Sequence, residues 1–405
     1  MRKPKMPQTR RHHWSRTGFA LVELLVALAV GLFLIAGILQ VLLSSQTSFR
    51  AEQNFSHLQE NARFAVQVLA RETRMARNLG CSSLMIDEVR GTLNTLACGL
   101  RADPTGCSGD SILASLSPLG YDADFSGGHP TQRGAWAALP QNVRDRWVRG
   151  DVLVLWGSWG EPSFVSAATP SRDNPADPVE LTSDNSDLTS GHLALITDCE
   201  SSDVFEISGL ASGGGLEHAA GPNTGDALSR QYNFPGTGQI PGVRNKASVY
   251  PFDYRAYYVC CRDDNDGGLA GNPANCGTAS SRYRPSLCRW SANSGKSDQL
   301  VNDVADLRIT YSGDSNGDGR MDYFNADAAA VTSAANWPNV YSAQVELLAT
   351  SEDEKVAITA ASPSDPSWPG GDDRLGAGLA SDGRFYERFA FTVALRTRAP
   401  WYVQR

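Results

Sequence analysis

Apolar positions along the chain follow three successive patterns. From Phe19 to Leu43 they are continuous, with Glu23 the only charge and Gln40 the only other strongly polar residue. As a helix rising 1.5 Å per residue, this run spans roughly 37 Å, enough to cross a bilayer. From Ser44 onward the apolar positions recur with helical spacing. Phe55, Leu58, Ala62, Ala65, Leu69 and Ala76 make one face, and Glu52, Glu60, Arg63, Arg71, Arg74 and Arg77 lie mostly off it. No proline interrupts residues 19–80. Gly80 suits the position just past a helix C-terminus, and Arg74 and Arg77 suit the last turns, where cations complement the dipole. The two patterns together predict one helix of about 90 Å over 19–80, apolar over 19–43 and amphipathic over 44–80.

Beyond residue 80 the period shortens. Short apolar runs at Val152–Trp156, His192–Ile196, Val204–Ile207 and Ala256–Cys260 predict strands. Strict alternation at Asp306–Tyr311, Tyr341–Leu347 and Phe389–Arg396 predicts antiparallel strands with one wet face. Residues 81–150, 166–191 and 209–226 are rich in Gly, Pro, Ser and Asp and predict loops. Residues 261–299 carry further cysteines in a Gly/Asn/Ser-rich setting and predict a stapled insertion. A long helix packed on an antiparallel sheet, with a large loop-rich body, is an α+β architecture.

Charge sharpens this division. The formal net charge is −8, yet residues 1–18 hold Arg2, Lys3, Lys5, Arg10, Arg11 and Arg16 and no acidic residue. A basic flank before an apolar span stays inside, which predicts a single-pass protein with a cytoplasmic N-terminus and an extracytoplasmic body over 81–405. The acidic body is a poor match for nucleic acid. All eight cysteines follow the span: Cys81, Cys98, Cys107, Cys199, Cys260, Cys261, Cys276 and Cys288. An even count on one side of a membrane suits an oxidising compartment and makes all eight disulfide candidates. The vicinal pair Cys260 and Cys261 is expected to bond to different partners, because a disulfide between neighbours is strained. Spacing alone leaves the pairing open.

The junction at residue 18 carries the first motif. Gly18-Phe19, three further residues and Glu23 follow a basic leader and open an apolar run. This resembles the class III signal of type IV prepilins. The resemblance implies cleavage by prepilin peptidase after Gly18, N-methylation of Phe19, and an assembly role for Glu23 opposite the N-terminus of a neighbouring subunit. Residues 1–18 would then be the leader. The run Gln59-Glu60-Asn61-Ala62-Arg63-Phe64-Ala65, then Leu69-Ala70-Arg71-Glu72, Arg74-Met75-Ala76 and Gly80-Cys81, resembles the PilW family of minor pilins. That resemblance is specific over 18–81 and looser over 301–397. It implies a type IV pilin-like fold and a low-copy structural or priming role in type IV pilus assembly. The implied partners are major and minor pilins and the prepilin peptidase. The implied location is the inner membrane, with a periplasmic body, and then the pilus at the cell surface. Many major pilins have a proline within the span; its absence here argues against a major-subunit role. A type II secretion pseudopilin shares the same signal and the same physics.

A second motif lies between predicted strands. Asp314, Asn316, Asp318 and Asp322 offer side-chain oxygens at positions one, three, five and nine of a loop, with Gly319 at six and the Arg320 carbonyl at seven. That order matches the start of a calcium-binding EF-hand loop and makes Ca2+ the candidate cofactor. Position twelve is Asn325 rather than Glu, and Asp327, two residues on, is the remaining carboxylate candidate. Asp, Asn and Gly are also ordinary turn formers. The body has only His129, His192 and His218, widely spaced, and no Gly-x-Ser-x-Gly, His-Glu-x-x-His or P-loop motif. The expectation is a protein without enzymatic activity. The readings from other classes are a membrane-anchored calcium-dependent adhesin or an extracytoplasmic hydrolase.

Overall fold

A computed structural model describes residues 21–80, 88–91, 119–121, 123–124, 131–132, 139–166, 176–183, 185–198, 201–223, 228, 232, 247–271, 276–277, 281–334, 336–353 and 384–395. The chain divides into two units, Met1–Gln53 and Asn54–Arg405. In the first, the described residues form a single helical stretch. This is the N-terminal part of α1 (Leu21–Met75), whose remainder belongs to the second unit.

The second unit is β-rich. Its larger sheet has nine strands: β1 (Glu88–Gly91), β2 (Leu119–Tyr121), β3 (Arg149–Ser158), β4 (Ser163–Phe164), β5 (Leu193–Thr197), β6 (Ser201–Glu206), β7 (Ser248–Asp263), β8 (Tyr283–Ser291) and β9 (Lys296–Asn302). The sixteen-residue β7 organises it. One edge of β7 pairs with β5 and then β8, and the other with β4 and then β3. All of these pairs are antiparallel, and β1 beside β6 is the one parallel pair in this sheet. A second, four-stranded antiparallel sheet runs β11-β10-β12-β13, built from β10 (Val304–Gly313), β11 (Tyr323–Ala326), β12 (Val340–Thr350) and β13 (Tyr386–Ala394). Two short helices, α2 (Gln141–Arg144) and α3 (Ala328–Ser333), lie against these sheets.

The larger sheet is covered on both faces, which explains why β3 is buried along nearly its whole length. On one face Val152, Val154 and Trp156 meet Leu139, Val143 and Trp147 around α2. On the other face Leu153, Leu155, Tyr257 and Val259 meet Leu58, Ala62, Ala65 and Leu69 of α1. The same core takes in Leu307, Ile309, Val345 and Leu347 of the second sheet. The α1 stripe therefore fills the angle between two sheets. Small residues at 62 and 65 let it approach closely, and Leu58 and Leu69 fill the space that remains. Phe55, expected on this face, sits at its margin, 41% exposed, with its ring edge toward Phe385 at 6.1 Å.

One polar cluster fastens the helix to β7. Glu72 Oε2 lies 2.7 Å from Arg255 Nη1 and accepts the Tyr257 hydroxyl at 2.8 Å. Arg255 also donates from Nε to Asp253 at 2.9 Å and lies 4.2 Å over the Trp159 ring. Asp253 in turn accepts from Ser291 Oγ and the Asn293 amide. Burial alone would lower the Arg255 pKa; Asp253, Tyr257 and Glu72 together hold it above the usual value. Burial and the Glu72 carboxylate raise the Tyr257 phenol, so both groups keep their ordinary protonation states.

The helix stops earlier than its sequence suggests. It ends at Met75, and Arg77, not Gly80, is the first residue in the left-handed region, with φ 60°. The reason is a backbone junction. Arg77 N donates to Trp156 O at 2.7 Å, and Ser158 N donates to Asn78 O at 2.9 Å, so the chain leaves the helix to bond the end of β3. Gly157 permits this approach: a Cβ there would stand 3.0 Å from Met75 O. Arg77, expected off the buried face, is instead buried and donates to Trp337 O at 2.8 Å. Burial, opposed in part by Tyr323, pushes its pKa down to about 10.

The region 261–299 also differs from expectation. It contributes β8 and most of the β8–β9 hairpin to the main sheet. Two disulfides hold it, Cys260–Cys288 and Cys261–Cys276. Adjacent strand residues face opposite sides, so the two neighbouring cysteines reach different partners. Cys81, Cys98, Cys107 and Cys199 lie outside the described residues.

Asp303 marks the crossing from β9 to β10. It has φ 59°, its carbonyl accepts Thr350 N at 2.9 Å, and its carboxylate accepts from Asn61 of α1 at 3.4 Å. Burial raises its pKa to about 6, Glu352 adds to the rise, and Arg284, Arg262 and Arg384 oppose it.

Two outcomes are expected from thermal unfolding of the detergent-solubilised chain. Glu72→Ala should cost about 3 kcal/mol by stranding Arg255 and Tyr257, whereas exposed Glu60→Ala should cost no more than about 0.5 kcal/mol. Equal losses would contradict the fastening role of Glu72. The folded state favours neutral Asp303, so its stabilising contribution is complete below the ordinary carboxylate range and is lost as pH rises through about 6. Asp303→Asn should therefore stabilise the chain by about 2–3 kcal/mol above that pH and by little below about pH 4. A benefit that does not depend on pH would contradict the assignment.

Candidate assembly helix and the Asp314–Asp322 loop

The first unit presents an apolar helical surface. Its best membrane-length window has a mean hydropathy of 2.7 with no residue buried, and the helix is long and apolar enough to cross a membrane. Leu21, Leu32, Phe33, Ile38 and Val41 are all exposed by more than half, Phe33 by 83%. Apolar surface on this scale fits a membrane anchor or a signal segment. Glu23 lies near the start of the described part of α1. A carboxylate charge is costly to place in hydrocarbon. Gly18 and Phe19, the expected cleavage and methylation positions, lie outside the described residues.

The candidate metal loop connects β10 to β11. Asp314 is buried at its base. Its Oδ1 accepts from Asn316 N at 3.0 Å and Gly317 N at 2.6 Å, and its Oδ2 accepts from Gly319 N at 2.7 Å and the Tyr341 hydroxyl at 3.2 Å. Burial opposes ionisation, but these hydrogen bonds outweigh it and hold the carboxyl below its ordinary range. Asn316 Oδ1 accepts Asp318 N, and Asp318 Oδ1 accepts Arg320 N, both at 2.8 Å. Asp322 accepts Ser315 N at 2.7 Å and Ser315 Oγ at 2.6 Å. The loop thus closes on its own donors.

The six candidate positions do not all meet. Asp314, Asn316, Asp318, Arg320 and Asp322 share one tight turn, while Asp327 caps α3, accepting Ala330 N at 2.7 Å. Among the described residues no three His, Cys, Asp or Glu side chains converge as a metal-binding group. Of the body histidines, His218 is buried with its Nε2 3.1 Å from Asp177 O, and His192 Nδ1 lies 3.0 Å from Asp187 O. His129 lies outside the described residues.

The periodicity argument passed over two charged residues with structural roles. Glu72 stands three residues after Leu69 and four before Ala76, a spacing that puts a carboxylate at the edge of the apolar face and signals a paired charge. Arg77 carries no comparable signal, because its burial follows from the early end of the helix. Below it, Trp337 and Asn336 belong to the turn that supports the loop: Asn336 Nδ2 donates to Asp314 O at 2.8 Å.

Comparison of the chain with curated proteins and with solved structures gives no match. Residues 274–397, which run from the Cys276 staple through β8, β9 and the entire four-stranded sheet, match the family model described as Type IV Pilus-assembly protein W, and this match supports a type IV pilus-related family and an assembly-related role.

Proposed function

We propose that this chain is a minor pilin, a low-copy structural subunit that primes or tips a type IV pilus. The observation that carries the reading is α1 itself: apolar and exposed over its first half, and buried in a β-rich body over its second. The match over 274–397 lies outside that helix and supports the pilus-assembly setting in which it is read. Lipid covers such a surface before assembly and neighbouring helices cover it afterwards. In this reading residues 19–43 cross the inner membrane, the basic leader is cytoplasmic and the body is periplasmic. Prepilin peptidase cuts after Gly18, and Phe19 becomes the methylated N-terminus. Glu23 then meets the terminal amine of a neighbouring pilin. An unpaired carboxylate in apolar surroundings is costly, so this pairing selects one register of assembly. The chain contributes surfaces rather than turnover, and its partners are other pilins and the peptidase.

On donor chemistry we also propose calcium as the ion for the Asp314–Asp322 loop. Asp314, Asn316, Asp318, Asp322 and the Arg320 carbonyl would be the donors, and an ion would have to draw the three carboxylates together, since they do not converge in this structure. Binding would draw the Asp318 and Asp322 carboxylates off Arg320 N and Ser315.

Glu23→Ala should leave the chain in the inner membrane at its normal level and reduce the number of pili per cell by about tenfold or more. Normal piliation would refute the pairing. Calcium added to the chelator-treated chain should release heat in titration calorimetry and raise its Tm, and Asp318→Ala should remove both effects. No heat would leave the loop as a hydrogen-bonded turn.

A further inference from the structure

The buried half of α1 has a second face with no assigned role. At 100° per residue, Glu60, Arg63, Phe64, Gln67, Arg71 and Arg74 fall within an arc of about 100°, opposite the buried stripe. All six are exposed, Phe64 by 52%. Among the described residues Arg63, Arg71 and Arg74 make no ion pair. This is a cationic strip with an exposed ring, on a chain of net charge −8.

The same body carries the complement. Asp318 and Asp322 are exposed on the β10–β11 loop, and Arg320 is the only basic residue from 314 to 327. Beside them Met321 and Phe324 are 47% and 63% exposed, and Phe324 is the most exposed large apolar residue described in the second unit. An acidic knob with two apolar side chains faces solvent, where an isolated subunit gains nothing from it.

We propose that the Arg63–Arg74 strip of α1 is a docking surface for the Asp318–Phe324 knob of a second copy of this chain. Arg71 and Arg74 meet Asp318 and Asp322, and Phe324 packs beside Phe64. The contact is heterologous. Each copy keeps one unused strip or knob, so the contact extends as an open series or closes as a ring. Complementary charge sets the orientation and speeds encounter, and the aromatic pair supplies apolar burial.

The test is sedimentation velocity on the full chain in detergent, at low salt with a chelator present. It needs neither pilus assembly nor calcium, so its outcome is separable from both of those readings. Wild type should self-associate with a strength that falls as salt rises. Arg71→Glu with Arg74→Glu, and separately Asp318→Lys with Asp322→Lys, should each weaken association at least about tenfold. Mixing the two charge-reversed proteins should restore it. Phe324→Ser, which leaves the hydrogen bonds of the loop intact, should also weaken it, and unchanged melting curves would show that each variant folds. Association that ignores salt and all three variants would overturn the proposal, as would a monomeric wild type or folded variants that fail to associate when mixed.

Discussion

The body depends on the placement of one helical stripe. Leu58, Ala62, Ala65 and Leu69 fill the angle between a nine-stranded and a four-stranded sheet, and neither sheet has another layer there among the described residues. Burial of that stripe is non-directional and would tolerate rotation or sliding of the helix. Glu72 removes that freedom. Its carboxylate must meet Arg255 and Tyr257, which fixes both the rotation and the height of α1 against β7. The stripe supplies the attraction and the ion pair supplies the register. A small sideways shift would leave three polar groups unpaired in a region of low exposure, at a cost of several kcal/mol.

This placement has a consequence at the far end of the same element. Once the stripe is fixed, the helix must end where the sheet can receive it, and the backbone leaves at Arg77 to bond β3 beside Gly157. Arg77 then reaches the turn at Trp337, which holds Asn336 against the Asp314 loop. The helix end and the loop are thus joined by two hydrogen bonds and a short turn. The acidic knob is anchored at its base by Asp314, and its outer carboxylates, Met321 and Phe324 face solvent.

The helix was the most legible part of the sequence because a period of 3.6 residues persists without a proline. The three C-terminal strands were legible for the same kind of reason: one face is open along β13 and half-open at Arg308, Thr310 and Gln344, so alternation survives there, although Asp306, Glu346 and Leu348 bury the face that the alternation marks as wet. The central strand β7 was legible only in its middle. Asp253 and Arg255 interrupt the apolar run, and they are polar because they meet Glu72 and Ser291, contacts distant in sequence. The β8–β9 hairpin was hidden by composition: Ser, Arg, Asn and Gly suggest a loop, while Leu287, Trp290 and the bridged Cys288 tie it to the core. The loop at Asp314 was visible as a turn rich in Asp, Asn and Gly. Which donors face each other, and that Asp327 caps a helix instead, depends on backbone geometry that spacing does not specify.

The central claim is that the exposed, apolar half of α1 is an assembly surface in a type IV pilus. Mass spectrometry of pili released by shear tests it directly, because it reads both the presence of the chain and its first residue. The account predicts a low-copy component whose N-terminal peptide begins at methylated Phe19. Absence of the chain from sheared pili, or its presence there with residues 1–18 still attached, would contradict the account.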